Sequence, residues 1–244
     1  MKILALETST ERLSLALSLD GQLTAREIDA GQRHSELALD ALHDLLAEAR
    51  IVIADLAAIA FGQGPGSFVG VRIACGLAQG LALGAGKRLA PVPTLMALAE
   101  QGGAAQVLVA NDARMGEFYL AAYCRDDAAP SGWRAEIEPM LATRATLPAL
   151  DRNTWQAIGS AFDVPDLAAI LRAQYGVQLQ PVMHGIFPSA TAIARIAARQ
   201  IASQGLDCLV AAEHAAPLYL RNKVALTIAE RHAAKNNPIA KVPA

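Results

Sequence analysis

The sequence predicts an α/β protein, because short apolar strands alternate with amphipathic helices along most of the chain. The 244 residues are 53% hydrophobic and 18% charged, which is too apolar and too weakly charged for a disordered chain. A chain of this length forms one large domain or two modest ones and buries a sizeable core without disulfide bonds. The pair Gly102-Gly103 is the most favourable place for a boundary between two domains.

The net charge and the lengths of the apolar runs exclude two classes of function. The formal net charge is −2, so no general electrostatic attraction draws the chain to nucleic acid. The longest apolar runs, 51–61 and 73–85, are interrupted by Asp55 and Gln79, and a membrane-spanning helix needs about 20 apolar residues. Three widely spaced cysteines without a CxxC pair indicate free thiols in a reducing compartment. We therefore expect a cytoplasmic protein with no membrane contact.

The first thirty residues have the pattern of a strand followed by a β-hairpin. Residues 2–6 form an apolar strand, and the leucines that follow alternate with small residues, which is the period of a strand. Asp20-Gly21 is a turn signal, after which 22–28 can return as a third strand. The polar loop between the first two strands could hold a phosphate or could be an ordinary connection. Its candidate ligands are Glu7, Thr8 and Ser9.

An amphipathic helix is predicted over residues 34–50. Its apolar positions recur at helical spacing and form one stripe, which includes Leu37, Ala38, Ala41, Leu42 and Leu45. After this helix, 55–61 is predicted as a short buried strand.

The glycine-rich loop GQGPGS at 62–67 joins that strand to a second helix, predicted over 68–86. Gly64 and Gly66 permit close backbone approach, Ser67 is a candidate N-cap, and free N–H groups at a helix start favour an anion. The loop has neither the Gly-Lys-Ser/Thr of a Walker A motif nor the register of GxGxxG. A phosphate loop and a tight strand-to-helix connection therefore both stay open.

The second helix carries three glycines on one face: Gly76, Gly80 and Gly84 are each four residues apart. Glycine inside a helix costs about 1 kcal/mol relative to alanine. The face therefore predicts that another helix approaches the backbone closely. That helix belongs either to the same subunit or to a partner, and the helix at 34–50 is a natural contributor to the same contact.

The rest of the chain continues the α/β pattern. A further helix follows Pro93 to about residue 101, and the predicted strands are at 106–110, 117–123, 133–142 and 155–159, with helices at 164–174 and 189–203. Residues 232–244 are expected to be a disordered tail.

No residue pattern indicates a metal or a nucleophile. The five histidines form neither HxxxH nor HExxH, and the sequence has no GxSxG elbow. Asp112, Arg114 and Glu117 cluster after a strand end, where an internal ion pair is the ordinary interpretation. We expect no catalytic residue, no bound metal and no cofactor.

Four sequence blocks, in order, resemble the bacterial TsaB (YeaZ) family. They are LALETST, GPGSFVGVRI, NDARMGEFYLAAY and APLYLRNKVA, and they span residues from about 3 to 225. The resemblance implies an α/β fold of the actin, Hsp70 and sugar-kinase (ASKHA) class, with two lobes built on mixed β-sheets and a reduced second lobe. The implied lobes are 1–103 and 104–231, followed by the tail.

The resemblance also implies a function. TsaB proteins are non-catalytic subunits that bind and activate TsaD, which forms N6-threonylcarbamoyladenosine (t6A) at position 37 of tRNAs reading codons that begin with A. The implied partners are TsaD in a heterodimer, the ATPase TsaE in a ternary assembly, a second copy when TsaD is absent, and tRNA only through the complex. The implied partner surface comprises Leu37, Ala38, Ala41, Leu42, Leu45, Val69, Arg72, Ile73, Gly76, Gly80 and Gly84. A vestigial phosphate loop would comprise Glu7, Thr8, Ser9, Gly64, Gly66 and Ser67.

Two other functions on the same fold remain as alternatives. An independent ATPase or kinase would need an acidic group for Mg²⁺, and Glu7 is the obvious loop candidate. A peptidase would need a metal pair or a nucleophile. TsaD holds its metal through an HxxxH pair, and Thr94 and Leu98 stand at those positions here, where neither can replace an imidazole.

Overall fold

The computed structural model describes residues 1–151 and 154–221. Its elements form two five-stranded sheets, each with helices on its faces. The elements of the first half are β1 (Lys2–Glu7), β2 (Arg12–Leu19), β3 (Gln22–Asp29), α1 (His34–Glu48), β4 (Ala58–Gly62), α2 (Gly70–Ala85), β5 (Leu89–Val92) and α3 (Thr94–Gly102). Those of the second half are β6 (Gln106–Asp112), β7 (Glu117–Arg125), β8 (Trp133–Thr143), β9 (Trp155–Ile158), α4 (Pro165–Tyr175), β10 (Leu179–Met183) and α5 (Ala190–Gln204).

The two sheets have the same topology. The first has the order β3-β2-β1-β4-β5 and the second the order β8-β7-β6-β9-β10. In each sheet the first three strands are antiparallel, and the last two run parallel to the central strand. In the second half, the described residues between β8 and β9 contain no counterpart of α1, only a single short turn of helix. The second lobe is therefore the smaller copy of one plan.

Alternation along β1 divides the core of the first sheet between its two faces. Leu4 and Leu6 point toward α1 and α2, while Ile3 and Ala5 point toward α5. This is the period of two that places successive side chains on opposite sides of a strand. The face under α5 is rich in alanine on both the sheet and the helix, and these small side chains let the helix lie close to the strands.

The helix α5 is the last α-helix of the described residues and packs on the first sheet, against β1, β2 and β4. Between the two sheets, α3 contacts α5 on one side and β6 and β7 on the other. Gly103 follows α3 in the left-handed conformation, with φ +75°, which glycine adopts without strain. Because α5 packs on the first sheet, the second half of the chain supplies one helix to the first lobe.

Two strands and one helix start differ from the sequence-based expectation. The strands β5 and β10 were not predicted as such, and α2 begins at Gly70 rather than at residue 68. Ser67 still lies close to the helix start, and its Oγ accepts a hydrogen bond from the Gly70 N–H at 3.3 Å. The predicted tail at 232–244 lies outside the described residues. In the part of the chain that is described, no helix is long and apolar enough to cross a membrane.

Candidate functional site

The two candidate phosphate loops, for which an ordinary structural connection was the alternative, are packed against each other. A Cβ on Gly66 would lie 2.5 Å from the Ser9 Cβ, and one on Gly70 would lie 2.0 Å from the Thr8 backbone oxygen. The Thr8 hydroxyl donates to the Gly70 carbonyl at 2.7 Å, and the Ser67 N–H donates to the Ser9 carbonyl at 2.7 Å. The protein itself uses these donors, so the geometry favours a tight structural connection over a phosphate loop.

Glu7 is fully buried behind these loops, and both of its carboxylate oxygens are occupied. Oε1 accepts the Ser9 N–H at 2.5 Å, and Oε2 accepts the Thr94 hydroxyl at 3.1 Å. The Thr94 oxygen in turn accepts the Gly64 N–H at 3.1 Å. A Cβ on Gly62 would lie 1.9 Å from Oε2, so the pocket around the carboxylate has no spare space. Glu7 therefore cannot position a Mg²⁺ ion without dismantling this network.

Burial raises the pKa of the Glu7 carboxyl above its usual value near 4.5, although hydrogen bonds from Ser9 and Thr94 act in the opposite direction. Because the folded-state pKa lies above the unfolded one, the folded state binds the proton more tightly. The free energy of unfolding should therefore fall as the pH rises through the folded-state pKa. The stabilisation that comes from protonated Glu7 is fully present only below the pKa of the carboxyl in the unfolded state.

We expect Glu7→Gln to reduce the fall in the free energy of unfolding with rising pH. The amide keeps the shape of the side chain but does not titrate. Urea unfolding of the wild type and of the variant between about pH 4.5 and 8 measures the two slopes. Glu36→Gln, at an exposed glutamate on α1, is the control and should keep the wild-type slope. Equal slopes for the wild type and Glu7→Gln would contradict this account of the buried carboxyl.

Thr94 and Leu98, which the resemblance places at the metal-histidine positions of TsaD, are both used by the fold. Thr94 is buried and bonded to Glu7 and Gly64, and Leu98 lies in the core between α3 and the second sheet. Across residues 1–151 and 154–221, no cluster of three His, Cys, Asp or Glu side chains could hold a metal ion. The residues at these positions do not fit a metal site.

The acidic and basic residues at the β6–β7 turn form ion pairs. The Arg114 guanidinium lies 3.1 Å from the Asp112 carboxylate, and Glu117 pairs with Arg221. Asp112, Arg114 and Arg221 line a cleft between the lobes that has a volume of about 1030 Å³. Asp163, another charged residue that lines the cleft, is hydrogen-bonded to His184. Their mutual pairing leaves this wall with little free charge for a ligand.

The glycine face of α2 is open. A Cβ at Gly76, Gly80 or Gly84 would meet no atom within 4 Å. The opposite face of the helix is packed on the first sheet through Val71, Ala74, Cys75, Ala78 and Ala82. Among residues 1–151 and 154–221, no helix therefore covers the glycines, so the described part of the subunit does not supply the close helix contact.

Apolar side chains border the open glycine face. Val69 is 62% exposed and Leu83 is 68% exposed. Arg72 lies over the ring of Phe68 at 3.4 Å and faces the ring of Tyr219 at 4.7 Å, in cation–π contacts that hold it on the surface. Of these, Phe68, Leu83 and Tyr219 were not predicted as site residues. We call this exposed face of α2, with Phe68, Val69, Arg72, Gly76, Gly80, Leu83 and Gly84, the α2 surface.

The apolar stripe of α1 belongs to the protein's own core, which corrects the expectation that it contacts a partner. Ala38, Ala41, Leu42 and Leu45 are buried against the first sheet, and Leu37 is partly buried beside them. The apolar side chain that α1 exposes is instead Leu39, which falls outside the predicted stripe. Ile73 on α2 is likewise only partly exposed.

The architecture defines the class of protein. Two mixed sheets of identical topology, each with flanking helices and separated by a cleft, form the α/β fold of the actin, Hsp70 and sugar-kinase class. A family model described as "TsaD: tRNA N6-adenosine threonylcarbamoyltransferase" matches residues 28–233.

Individual relatives narrow the class to one family. The chain is 38% identical over 235 residues to the tRNA threonylcarbamoyladenosine biosynthesis protein TsaB of Escherichia coli K12. The aligned region covers 92% of this chain and 96% of that protein. A solved Pseudomonas aeruginosa protein with similarity to peptidase YeaZ has a TM-score of 0.79 at 30% identity. The YeaZ structure from the same species has a TM-score of 0.75 at 29% identity, and each structure covers 90% of this chain. The chain belongs to the TsaB (YeaZ) family.

Proposed function

We propose that this chain is a non-catalytic subunit that binds and activates TsaD for the formation of t6A at position 37 of tRNAs reading codons that begin with A. The observation that carries the proposal is the open glycine face of α2. The name of the Escherichia coli relative, a tRNA threonylcarbamoyladenosine biosynthesis protein, supports the pathway.

A helix with three unpacked glycines is suited to close contact with a second helix. Axes of packed helices lie about 8–10 Å apart, the distance being set by the side chains between them. Gly76, Gly80 and Gly84 leave the α2 backbone bare along two turns. The exposed apolar side chains of Val69 and Leu83 lie on the same helix surface and would lose water on association. This combination favours a protein helix as the occupant of the α2 surface.

The side chains at the candidate Mg²⁺ and metal positions make contacts within the protein itself, which supports an accessory role. Glu7 is buried and hydrogen-bonded, and Thr94 and Leu98 are engaged within the fold. TsaD would therefore hold the metal and carry out the transfer, while this chain supplies a surface. This arrangement also disfavours an independent ATPase, which would need a carboxylate accessible to Mg²⁺, and a peptidase, which would need a metal pair.

The proposed assembly has further members. TsaE would join the heterodimer in a ternary assembly in the cytoplasm, and a second copy of this chain would occupy the α2 surface when TsaD is absent. Homodimer and heterodimer would then compete for one surface. With a net charge of −2, the chain would meet tRNA only through the complex. The proposed lobes remain 1–103 and 104–231, with α5 folded back onto the first.

The mass of the complex tests the binding step. This chain and TsaD from the same organism, mixed at equal concentrations, should elute together with the mass of a heterodimer in size-exclusion chromatography with light scattering. The homodimer peak of this chain should shrink as TsaD is added. Two unchanged separate peaks across micromolar concentrations would contradict the proposed partnership.

A further inference from the structure

Buried Glu100 on α3 connects elements of both lobes. Its side chain is only 5% exposed. The two carboxylate oxygens accept a bidentate pair of bonds from Arg199 at 3.1 and 2.6 Å, and Oε2 also accepts the Trp133 indole N–H at 2.8 Å. The guanidinium of Arg125 lies 3.0 Å away. Arg199 belongs to α5, which packs on the first sheet, whereas Arg125 and Trp133 belong to β7 and β8 of the second sheet.

The arginines around Glu100 are themselves fixed by further contacts. Arg199 Nε donates to the Ser131 carbonyl at 2.8 Å, and a Cβ on Gly132 would lie 2.8 Å from that nitrogen. Arg125 stacks over the ring of Trp133 at 4.0 Å. Burial alone would raise the pKa of Glu100, but the bonds from Arg199 and Trp133 and the nearby charges outweigh it and lower the pKa. The carboxylate is therefore held in its charged form by partners from both lobes.

A second set of contacts joins the lobes at the cleft. The Leu218 N–H donates to the Gln63 carbonyl in the glycine loop at 2.7 Å. Three residues later, Arg221 donates to the Ala113 carbonyl at 2.8 Å and pairs with Glu117 on the second lobe. Residues 218–221 therefore run from the first lobe to the second along the wall of the cleft.

We propose that these two clusters, centred on Glu100 and on Arg221, form an interlobe lock that holds the lobes at one angle. Hinge movement between the lobes would have to pull Arg125 and Trp133 away from the buried Glu100 carboxylate, and the Ser131 carbonyl away from Arg199. Removing partners from a buried charge is costly in a low-dielectric site. The locked protein would act as a rigid scaffold whose cleft does not open and close around a ligand. The lock concerns this chain alone and does not depend on which partner binds α2.

Distances between spin labels on the two lobes test the lock. Asp44→Cys on α1 and Gln174→Cys on α4 place labels at exposed positions, in a Cys208→Ser background that leaves only two buried native thiols. Double electron–electron resonance should give one narrow distance distribution for this parent. Glu100→Ala and Arg221→Ala should each broaden it, and the double variant should broaden it roughly twofold or more.

The control variant is measured with the same pair of spin labels. Arg33→Ala removes an exposed, local ion pair at the start of α1, Arg33–Glu36, and should leave the distribution unchanged. If Glu100→Ala does not fold, as judged by circular dichroism, Glu100→Gln replaces it because the amide keeps the size but loses the charge. A broad distribution in the parent, or a folded double variant as narrow as the parent, would overturn the lock. Equal broadening by Arg33→Ala would also overturn it.

Discussion

Gly80→Leu should weaken the association with TsaD by up to about 100-fold while leaving the fold intact. A Cβ at this position meets no atom of the described chain within 4 Å, and Gly80 is exposed, so we expect the free protein to accommodate leucine on its surface. In the complex, the leucine would hold the partner helix away from the α2 backbone. Overpacking a fitted contact costs about 1–3 kcal/mol, and the upper part of that range corresponds to about 100-fold in affinity. Titration calorimetry with TsaD measures the loss.

Ala173→Leu is the matched control for this variant. Ala173 is an exposed residue of α4 on the second lobe. The substitution therefore adds the same leucine side chain to a helix surface that is far along the chain from α2. We expect it to bind TsaD as the wild type does. If Gly80→Leu retains wild-type affinity, the glycine face is not the surface that TsaD contacts.

Gly70→Ala should destabilise the protein by about 3 kcal/mol, which lowers Tm by about 6–12 °C for a chain of this size. The new Cβ would lie 2.0 Å from the Thr8 backbone oxygen, and a backbone atom cannot move aside as a flexible side chain does. Relief requires the loop after β1 to separate from the start of α2. That movement would also break the hydrogen bond from the Thr8 hydroxyl to the Gly70 carbonyl. Differential scanning calorimetry gives the change in Tm.

Gly80→Ala provides the comparison within the same helix. It adds the same methyl group where the space is open, and alanine favours a helix interior by about 1 kcal/mol over glycine. We expect a small rise in Tm. A Gly70→Ala protein as stable as Gly80→Ala would show that the loop after β1 does not press on α2.

Patterns within single elements allowed much of the fold to be predicted from the sequence. The alternating leucines of β2, the apolar stripe of α1 and the strand-to-helix glycine loop each appear in the structure as elements of the predicted type. The strand β5 was harder to predict because it has four residues and contains Pro91. Proline weakens a strand prediction, but an edge strand tolerates it, and β5 lies at the edge of its sheet.

Periodicity identifies a face but does not say what covers it. The stripe of α1 and the glycine face of α2 were equally clear in the sequence, yet α1 packs on its own sheet while the glycines of α2 stay open. To predict that the α1 stripe is buried, one would have to know where the hairpin β2–β3 lies relative to α1, which is tertiary information. The interlobe lock was out of reach for the same reason, since Glu100 and Arg199 are 99 residues apart. A lone glutamate in a predicted helix gives no sign of such a partner.

Reconstituted tRNA modification tests directly whether this chain activates TsaD. Unmodified substrate tRNA is incubated with TsaD, TsaE and the threonylcarbamoyl-adenylate-forming enzyme, with and without this chain, and t6A is quantified by mass spectrometry of the nucleosides. We expect t6A only when this chain is present, and a strongly reduced yield with Gly80→Leu. Equal amounts of t6A with and without the chain would contradict its role as the subunit that activates TsaD.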